Sequence, residues 1–220
     1  MLLQNKTNSE EDVKMELIDI SHILNEDTPV YSGDYKINLS IDKSIEKDGY
    51  CSYVLSSNLH TGTHIDMPMH LLENNKKMVT DYSINNFTGK GVLLDVRNEN
   101  PISMKPFYEE IISEESAVLL FTGFDKYFYT QEYFLNYPVV SDELAEFLLS
   151  KKIKILGMDT PSPDYSPFTF HKKLLENNIF VLENLTNLQE LIGIKEFEVM
   201  AFPLKISAEA SPVRAVCRII

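Results

Sequence analysis

The sequence is poor in cysteine: Cys51 and Cys217 are its two examples. Neither lies in a C-x-x-C pair, which excludes a zinc knuckle and a dithiol redox motif of that type. Nothing else in the sequence demands a disulfide between them. A reducing, cytoplasmic location is therefore the simplest expectation.

Basic residues are also scarce, with 20 Lys and Arg against 33 Asp and Glu and a net charge of −13. A surface of that charge repels phosphate backbones and anionic lipids. We therefore expect neither nucleic acid nor a membrane surface as a partner.

Long apolar runs are absent, and no stretch approaches the ~20 residues that span a bilayer. The first residues, MLLQNKTNSEEDVK, lack the basic start and apolar core of a signal peptide. They are polar and show no hydrophobic periodicity. We predict an N-terminal extension over residues 1–14 and one domain over residues 15–220, a length that one core can serve.

Short apolar runs predict most of the strands of this domain, because a strand that is buried on both faces is typically a continuous run of apolar residues such as Val, Ile and Leu. Alternation of Ile37, Leu39 and Ile41 predicts a half-buried strand over residues 35–42. The other predicted strands cover residues 16–21, 50–58, 91–96, 117–122, 153–158 and 179–182.

Helical patterns are fewer than strand patterns. Ser141 and Asp142 are typical of a helix N-terminus, and apolar residues follow them at helical spacing. Residues 169–177 and 186–192 predict two more helices, the second stopped by Gly193. Strands and helices alternate without a repeat or a linker, so we predict a single mixed α/β domain.

Residues 60–70, HTGTHIDMPMH, hold three of the five histidines of the chain together with Asp66. His and Asp are ligands that Zn²⁺, Mn²⁺ and Fe²⁺ accept. Gly62 and Pro68 disfavour a helix here. An extended chain places His60, His64, Asp66 and His70 on one face.

A straight strand nevertheless cannot bring these side chains to one ion, because the six residues from His60 to Asp66 would span about 20 Å. Ligand atoms of one ion lie within roughly 4 Å of one another. We therefore predict that the chain curls around an ion and bends at Gly62 and Pro68.

The segment resembles the signature H-x-G-T-H-x-D-x-P-x-H of the putative cyclase family, which contains bacterial kynurenine formamidase, and every fixed position matches. Further blocks are similar, and the resemblance reaches from about Glu16 to the end of the chain. These blocks are residues 19–21 with 28–34, residues 157–159 with 162–164, and His171 with Glu183-Asn184-Leu185.

The resemblance implies the family's swivelling β/β/α fold, a homodimer and a metal-dependent hydrolase acting on a small molecule such as N-formylkynurenine or another N-formyl arylamine. It implies one or two Zn²⁺ per chain, with Mn²⁺ as the alternative. One ion would take His60, His64, Asp66 and Glu183, and the other Asp66, His171 and Glu183. His70 corresponds to the proton donor and acceptor.

Tyr31 stands where family formamidases carry a tryptophan that contacts substrate, and this chain has no tryptophan. We interpret Tyr31 as an aromatic wall of the substrate site, with a turn residue that packs locally as the alternative. Ser32 stands where a proline is usual. His22 matches no ligand position and is interpreted as structural or pocket-lining.

Three other functions stay open. An isatin-type lactam hydrolase of the same family would use the same ligands. A non-heme iron oxygenase could use His64, Asp66 and His171, but it leaves His60, His70 and Glu183 unexplained. A non-catalytic zinc protein would prefer cysteine ligands and has no use for a free His70.

Overall fold

The apolar runs of the sequence form neighbouring strands of one nine-stranded sheet. The structure, a computed structural model, describes residues 16–220. The predicted extension over residues 1–14 lies outside the described residues. Within residues 16–220 the chain is the mixed α/β domain that the sequence predicts.

Eleven strands and four α-helices make up this part of the chain. The strands are β1 (Leu17–Asp19), β2 (Asn38–Lys43), β3 (Ser52–Ser56), β4 (His64–Asp66), β5 (Thr88–Asp95), β6 (Ala117–Phe121), β7 (Ile155–Met158), β8 (Phe180–Glu183), β9 (Phe197–Met200), β10 (Ala210–Pro212) and β11 (Val216–Ile219). The helices are α1 (Ile45–Asp48), α2 (Tyr108–Ile111), α3 (Asp142–Ser150) and α4 (Thr169–Glu176).

The sheet has the order β1-β11-β9-β5-β6-β7-β8-β4-β10. Its centre, β5 to β8, is parallel, and the strands on either side of it pair antiparallel. Helices α2, α3 and α4 connect the parallel strands, as parallel pairing requires. One apolar core lies between these helices and the sheet, and a second covers the opposite face.

Two of the three predicted helices are confirmed. Ser141 caps α3 by accepting the Leu144 N–H through Oγ at 3.3 Å, and α4 covers most of residues 169–177. The predicted helix over 186–192 is wrong: the segment forms only a 3₁₀ turn, Leu188–Leu191. Left-handed backbone at Asn187 and Gly193 bounds that turn and leaves no room for an α-helix. No helix among residues 16–220 is long and apolar enough to cross a membrane.

Strand β2 lies where the alternating pattern predicts it, but the expected half-burial is wrong. Ile37 is buried, whereas Ile41 is 60% exposed. The reason is that β2 pairs only with β3, in a two-stranded sheet separate from the main one.

Gly91 of β5 lies under the aromatic ring of Phe197 of β9. A Cβ at position 91 would lie 2.0 Å from a ring carbon. We expect Gly91→Ala to lower the free energy of unfolding by about 1–3 kcal/mol through overpacking, measured by urea unfolding. Lys90→Ala, at the exposed neighbouring position, should change it by less than about 0.5 kcal/mol. Equal stability of Gly91→Ala and the wild type would contradict this packing.

Candidate metal centre

The pairing of strands β4 and β8 brings together His64 and Asp66 of β4 and Glu183 of β8. Strand β4 lies between β8 and β10, and His64 is directly opposite Glu183. Residues opposite each other, or two apart on one strand, share a face of the sheet. His64 Nε2 is accordingly 3.3 Å from Glu183 Oε2 and 3.4 Å from Asp66 Oδ1.

His60 reaches the same point because the chain turns at Gly62, which has a φ of +68°. His60 Nδ1 lies 2.9 Å from Asp66 Oδ1. Pro68 begins a 3₁₀ turn, Pro68–His70. Both bends predicted from the sequence are therefore confirmed.

His171 arrives from a different element, the buried side of α4, which immediately precedes β8. Its Nε2 lies 3.2 Å from Asp66 Oδ2, and its Nδ1 lies 3.7 Å from Glu183 Oε1. Residues more than 100 positions apart in sequence thus meet at Asp66.

The donor set fits divalent cations. Two triplets offer one ligand atom per residue with all three atoms within 4.8 Å of one another: His60 with His64 and Asp66, and Asp66 with His171 and Glu183. Asp66 belongs to both. Five buried atoms of the cluster make no hydrogen bond: His64 Nε2, Asp66 Oδ1, Asp66 Oδ2, His171 Nε2 and Glu183 Oε1. Unpaired buried polar atoms are costly, and a cation coordinated by them would remove that cost.

The charges of the cluster point the same way. Burial raises the pKa of Glu183, and the neighbouring charge of Asp66 raises it further. Burial also acts to raise the pKa of Asp66, but the imidazoles around it hold that pKa well below its usual range. Burial lowers the pKa of His60, yet Asp66 and Glu209 outweigh it and raise the value to about 10. Two buried carboxylates side by side thus require positive charge.

His70 faces the cluster without joining either triplet. Its Nε2 lies 4.0 Å from Asp66 Oδ2, and its ring centroid lies 4.0 Å from that of His60. Burial lowers the pKa of His70 to about 4. Asp66 acts to raise this pKa, but the neighbouring imidazoles lower it further. At neutral pH this ring is uncharged and free to accept a proton.

Asn184 orients the ring of His64 through the backbone. Its Nδ2 donates to the Gly62 carbonyl at 2.8 Å, and the same oxygen lies 2.8 Å from His64 Nδ1. Tyr133 Oη donates to Asn184 Oδ1 at 2.8 Å. With Nδ1–H directed at the Gly62 carbonyl, the lone pair of His64 is left on Nε2, towards the carboxylates. Asn184 belongs to one of the segments that resemble the family, Glu183-Asn184-Leu185, but the sequence alone does not predict this role for it.

Glu209 is a neighbour of the site that the sequence analysis missed. Its Oε1 lies 3.5 Å from His60 Nε2. Glu209 precedes β10, and only the pairing of β10 with β4 brings it close. A three-residue strand gives too short a pattern to predict that pairing from sequence.

A cavity of about 380 Å³ opens onto the cluster, and Tyr31 lines it together with Phe134, Tyr137 and Phe168. The rings of Tyr31 and Phe134 meet edge to face at 5.7 Å. His22 packs elsewhere, stacked on Phe128 at 3.6 Å. Burial lowers the pKa of His22 to about 4, so it is a neutral packing residue.

The chain is similar in sequence to known proteins. Residues 18–165 match the family described as Putative cyclase. The kynurenine formamidase of Bacillus thuringiensis subsp. konkukian (strain 97-27) is 33% identical over 208 residues, covering 92% of this chain and 97% of that protein. The kynurenine formamidase of Bacillus anthracis is 33% identical over 206 residues, covering 91% and 96%.

Solved structures share the fold. An isatin hydrolase bound to the product analogue thioisatinate superposes with a TM-score of 0.84 at 23% identity, covering 93% of this chain and 92% of that one. A predicted metal-dependent hydrolase from Bacillus stearothermophilus gives a TM-score of 0.74 at 22% identity, covering 94% and 99%. The fold expected from the family resemblance is therefore confirmed.

Asn184→Ala should weaken the affinity of the cluster for Zn²⁺ about 10- to 100-fold, because His64 loses its orienting partner. The measurement is a competition titration against a chromophoric chelator. Asn187→Ala is the matched control: both asparagines have left-handed backbone, but the Asn187 side chain donates to Asp19 O instead. Equal affinities of the two variants would contradict a specific role for Asn184.

Proposed function

The chain belongs to the putative cyclase family, and on that premise we propose that residues 15–220 form a metal-dependent hydrolase of the arylformamidase type. It cleaves a C–N bond that is not a peptide bond, in N-formylkynurenine or a related N-formyl arylamine. The observation that carries the proposal is the convergence of three histidines and two carboxylates on one buried point beside a free histidine.

The two triplets support sites for one or two ions, Zn²⁺ or Mn²⁺. His60, His64 and Asp66 would hold the first, and Asp66 and His171 would hold the second. Glu183 would serve both, since Oε2 lies 3.3 Å from His64 Nε2 and Oε1 lies 3.7 Å from His171 Nδ1. An ion held there would lower the pKa of a bound water towards about 7 and would polarise the amide carbonyl.

His70 moves the proton that the reaction requires. As water oxygen bonds to the formyl carbon, His70 accepts one of the two water protons. The same ring then donates it to the amide nitrogen as the C–N bond breaks, which yields a neutral arylamine and formic acid, and the acid releases its remaining proton to solvent as formate. An amine is a poor leaving group unless it is protonated, so the neutral state of His70 suits the first step and its charged state the second.

The aromatic wall supports an aryl substrate. Tyr31, Phe134 and Tyr137 line the cavity above the cluster, and aromatic faces suit a planar ring of the substrate. Tyr31 is our candidate substrate-binding residue, in the place of the missing tryptophan.

A lactam hydrolase of the isatin type is the second candidate, because a fused lactam is also an aryl amide and would meet the same cluster and aromatic wall. A non-heme iron oxygenase and a non-catalytic zinc protein are less well supported. Neither function has a use for the uncharged His70 that faces both triplets. We further propose a cytoplasmic homodimer, and the free thiols of Cys51 and Cys217 support a reducing location.

A substrate panel tests the proposal. Protein loaded with Zn²⁺ or Mn²⁺ should hydrolyse N-formylaniline and N-formylkynurenine faster than isatin. Turnover of isatin alone would select the lactam hydrolase, and oxygen uptake with Fe²⁺ would select the oxygenase. No turnover of any compound by ion-loaded protein would contradict an enzyme of this type.

His70→Ala should keep the ions but lose a factor of ~10² to 10⁴ in kcat. The loss should be larger for formanilides than for activated formate esters, because only the amine requires protonation as it leaves. His22→Ala removes the histidine outside the cluster and serves as control. Loss of ions in His70→Ala would make His70 a ligand, and equal losses for amide and ester would exclude proton transfer.

Glu183→Gln should weaken binding of the second ion more than that of the first. The first site keeps His60, His64 and Asp66, whereas the second keeps only Asp66 and His171. Isothermal titration with Mn²⁺ measures both steps. Unchanged affinity in both would show that Glu183 does not bridge the ions.

A further inference from the structure

His60 differs from the other histidines of the cluster in how its ring is held. His64 lies on β4 and His171 lies on α4. His60 instead precedes the turn at Gly62 and belongs to no strand or helix. Its side chain is 18% exposed, against 2% for His64. Regular secondary structure therefore does not fix this ring, and its orientation has to come from side-chain contacts.

The two nitrogens of the His60 ring face two different carboxylates. Nδ1 lies 2.9 Å from Asp66 Oδ1, and Nε2 lies 3.5 Å from Oε1 of Glu209, a residue that lines the cavity. A neutral imidazole has one N–H and one lone pair. When the N–H is directed at Glu209, the lone pair is left on Nδ1, on the side of Asp66.

His64 is oriented in the opposite sense. Its Nδ1 lies 2.8 Å from the Gly62 carbonyl oxygen, and its Nε2 lies 3.4 Å from Asp66 Oδ1. Asp66 Oδ1 is thus flanked by Nδ1 of one histidine and by Nε2 of the other. A divalent cation at this triplet would take opposite nitrogens of His60 and His64, and each ring then needs an acceptor for the N–H that points away from the ion.

The backbone places Glu209 where it can be that acceptor for His60. The Glu209 carbonyl accepts the Met67 N–H at 2.9 Å, and the following residue, Ala210, pairs with Asp66. The side chain of Glu209 therefore extends from backbone that is bonded to the residue next to Asp66. Groups that are carried by paired strands hold a site more precisely than groups on free loops.

We propose that Glu209 is a positioning residue of the metal centre: its carboxylate accepts the His60 Nε2–H and so presents the Nδ1 lone pair of His60 to a divalent cation. The inference rests on the proposed function, because this task exists only if the first triplet holds an ion. Glu209 acts through His60 and is not itself a ligand.

A competition titration against a chromophoric chelator tests the proposal. Glu209→Ala should weaken the affinity of the first site for Zn²⁺ about 10- to 100-fold. Glu209→Gln keeps an oxygen acceptor and should recover most of that loss. Glu190→Ala removes the same charge at an exposed position outside the cavity lining and should bind like the wild type. Circular dichroism checks that each variant is folded.

Nitrogen NMR of Zn²⁺-loaded protein with isotopically labelled histidine gives a readout that a purely structural role of Glu209 would not change. His60 should carry its proton on Nε2 and His64 on Nδ1, and Glu209→Ala should broaden or remove only the His60 signal. A proton on Nδ1 of His60, or equal affinities of Glu209→Ala and the wild type, would overturn this inference alone. A wild type that binds no Zn²⁺ would overturn the proposed metal centre with it.

Discussion

The arrangement of the whole site depends on one buried carboxylate, Asp66, which is fully excluded from solvent with Glu183 close by. Two such groups cannot both be ionised in a low-dielectric interior without opposite charge beside them. The imidazoles of His60 and His171 supply part of that charge, because Asp66 beside them raises the pKa of both rings. Divalent cations would satisfy it more fully than imidazoles do, because they could also coordinate the unpaired buried oxygen and nitrogen atoms of the cluster.

The sheet supplies the precision that this charge cluster needs. Strand β4 has only three residues, yet pairing with β8 on one side and β10 on the other fixes His64 and Asp66 on one face. The same pairing aligns Glu183 with His64, and α4 brings His171 over the end of β8. Ligands held on paired strands and a packed helix keep their positions better than ligands held on loops. The loops before β2 and after β3 contribute to the wall of the cavity.

Much of the candidate site could be predicted from sequence because three of its five candidate ligands lie in one short, chemically dense segment, residues 60–66. The spacing of His60, His64 and Asp66 excludes a straight strand, and the two predicted bends follow from Gly62 and Pro68. Glu209 and the support by Asn184 could not be predicted, because both depend on pairings between segments far apart in the chain. Strands β9 to β11 have neither a continuous apolar run nor a regular alternation of apolar and polar residues, so the sequence does not predict them. The exposure of Ile41 depends on which strand β2 pairs with, and local periodicity carries no information about that pairing.

Anomalous diffraction from Zn²⁺-loaded crystals tests the central claim most directly, namely that this cluster is a metal centre organised by Asp66. The account predicts one or two peaks about 2 Å from ligand atoms of the cluster, with Asp66 contacting each ion. Two ions should lie roughly 3.5–4 Å apart. Enzymatically active crystals with no anomalous peak at the cluster, or with the ion bound elsewhere, would contradict it.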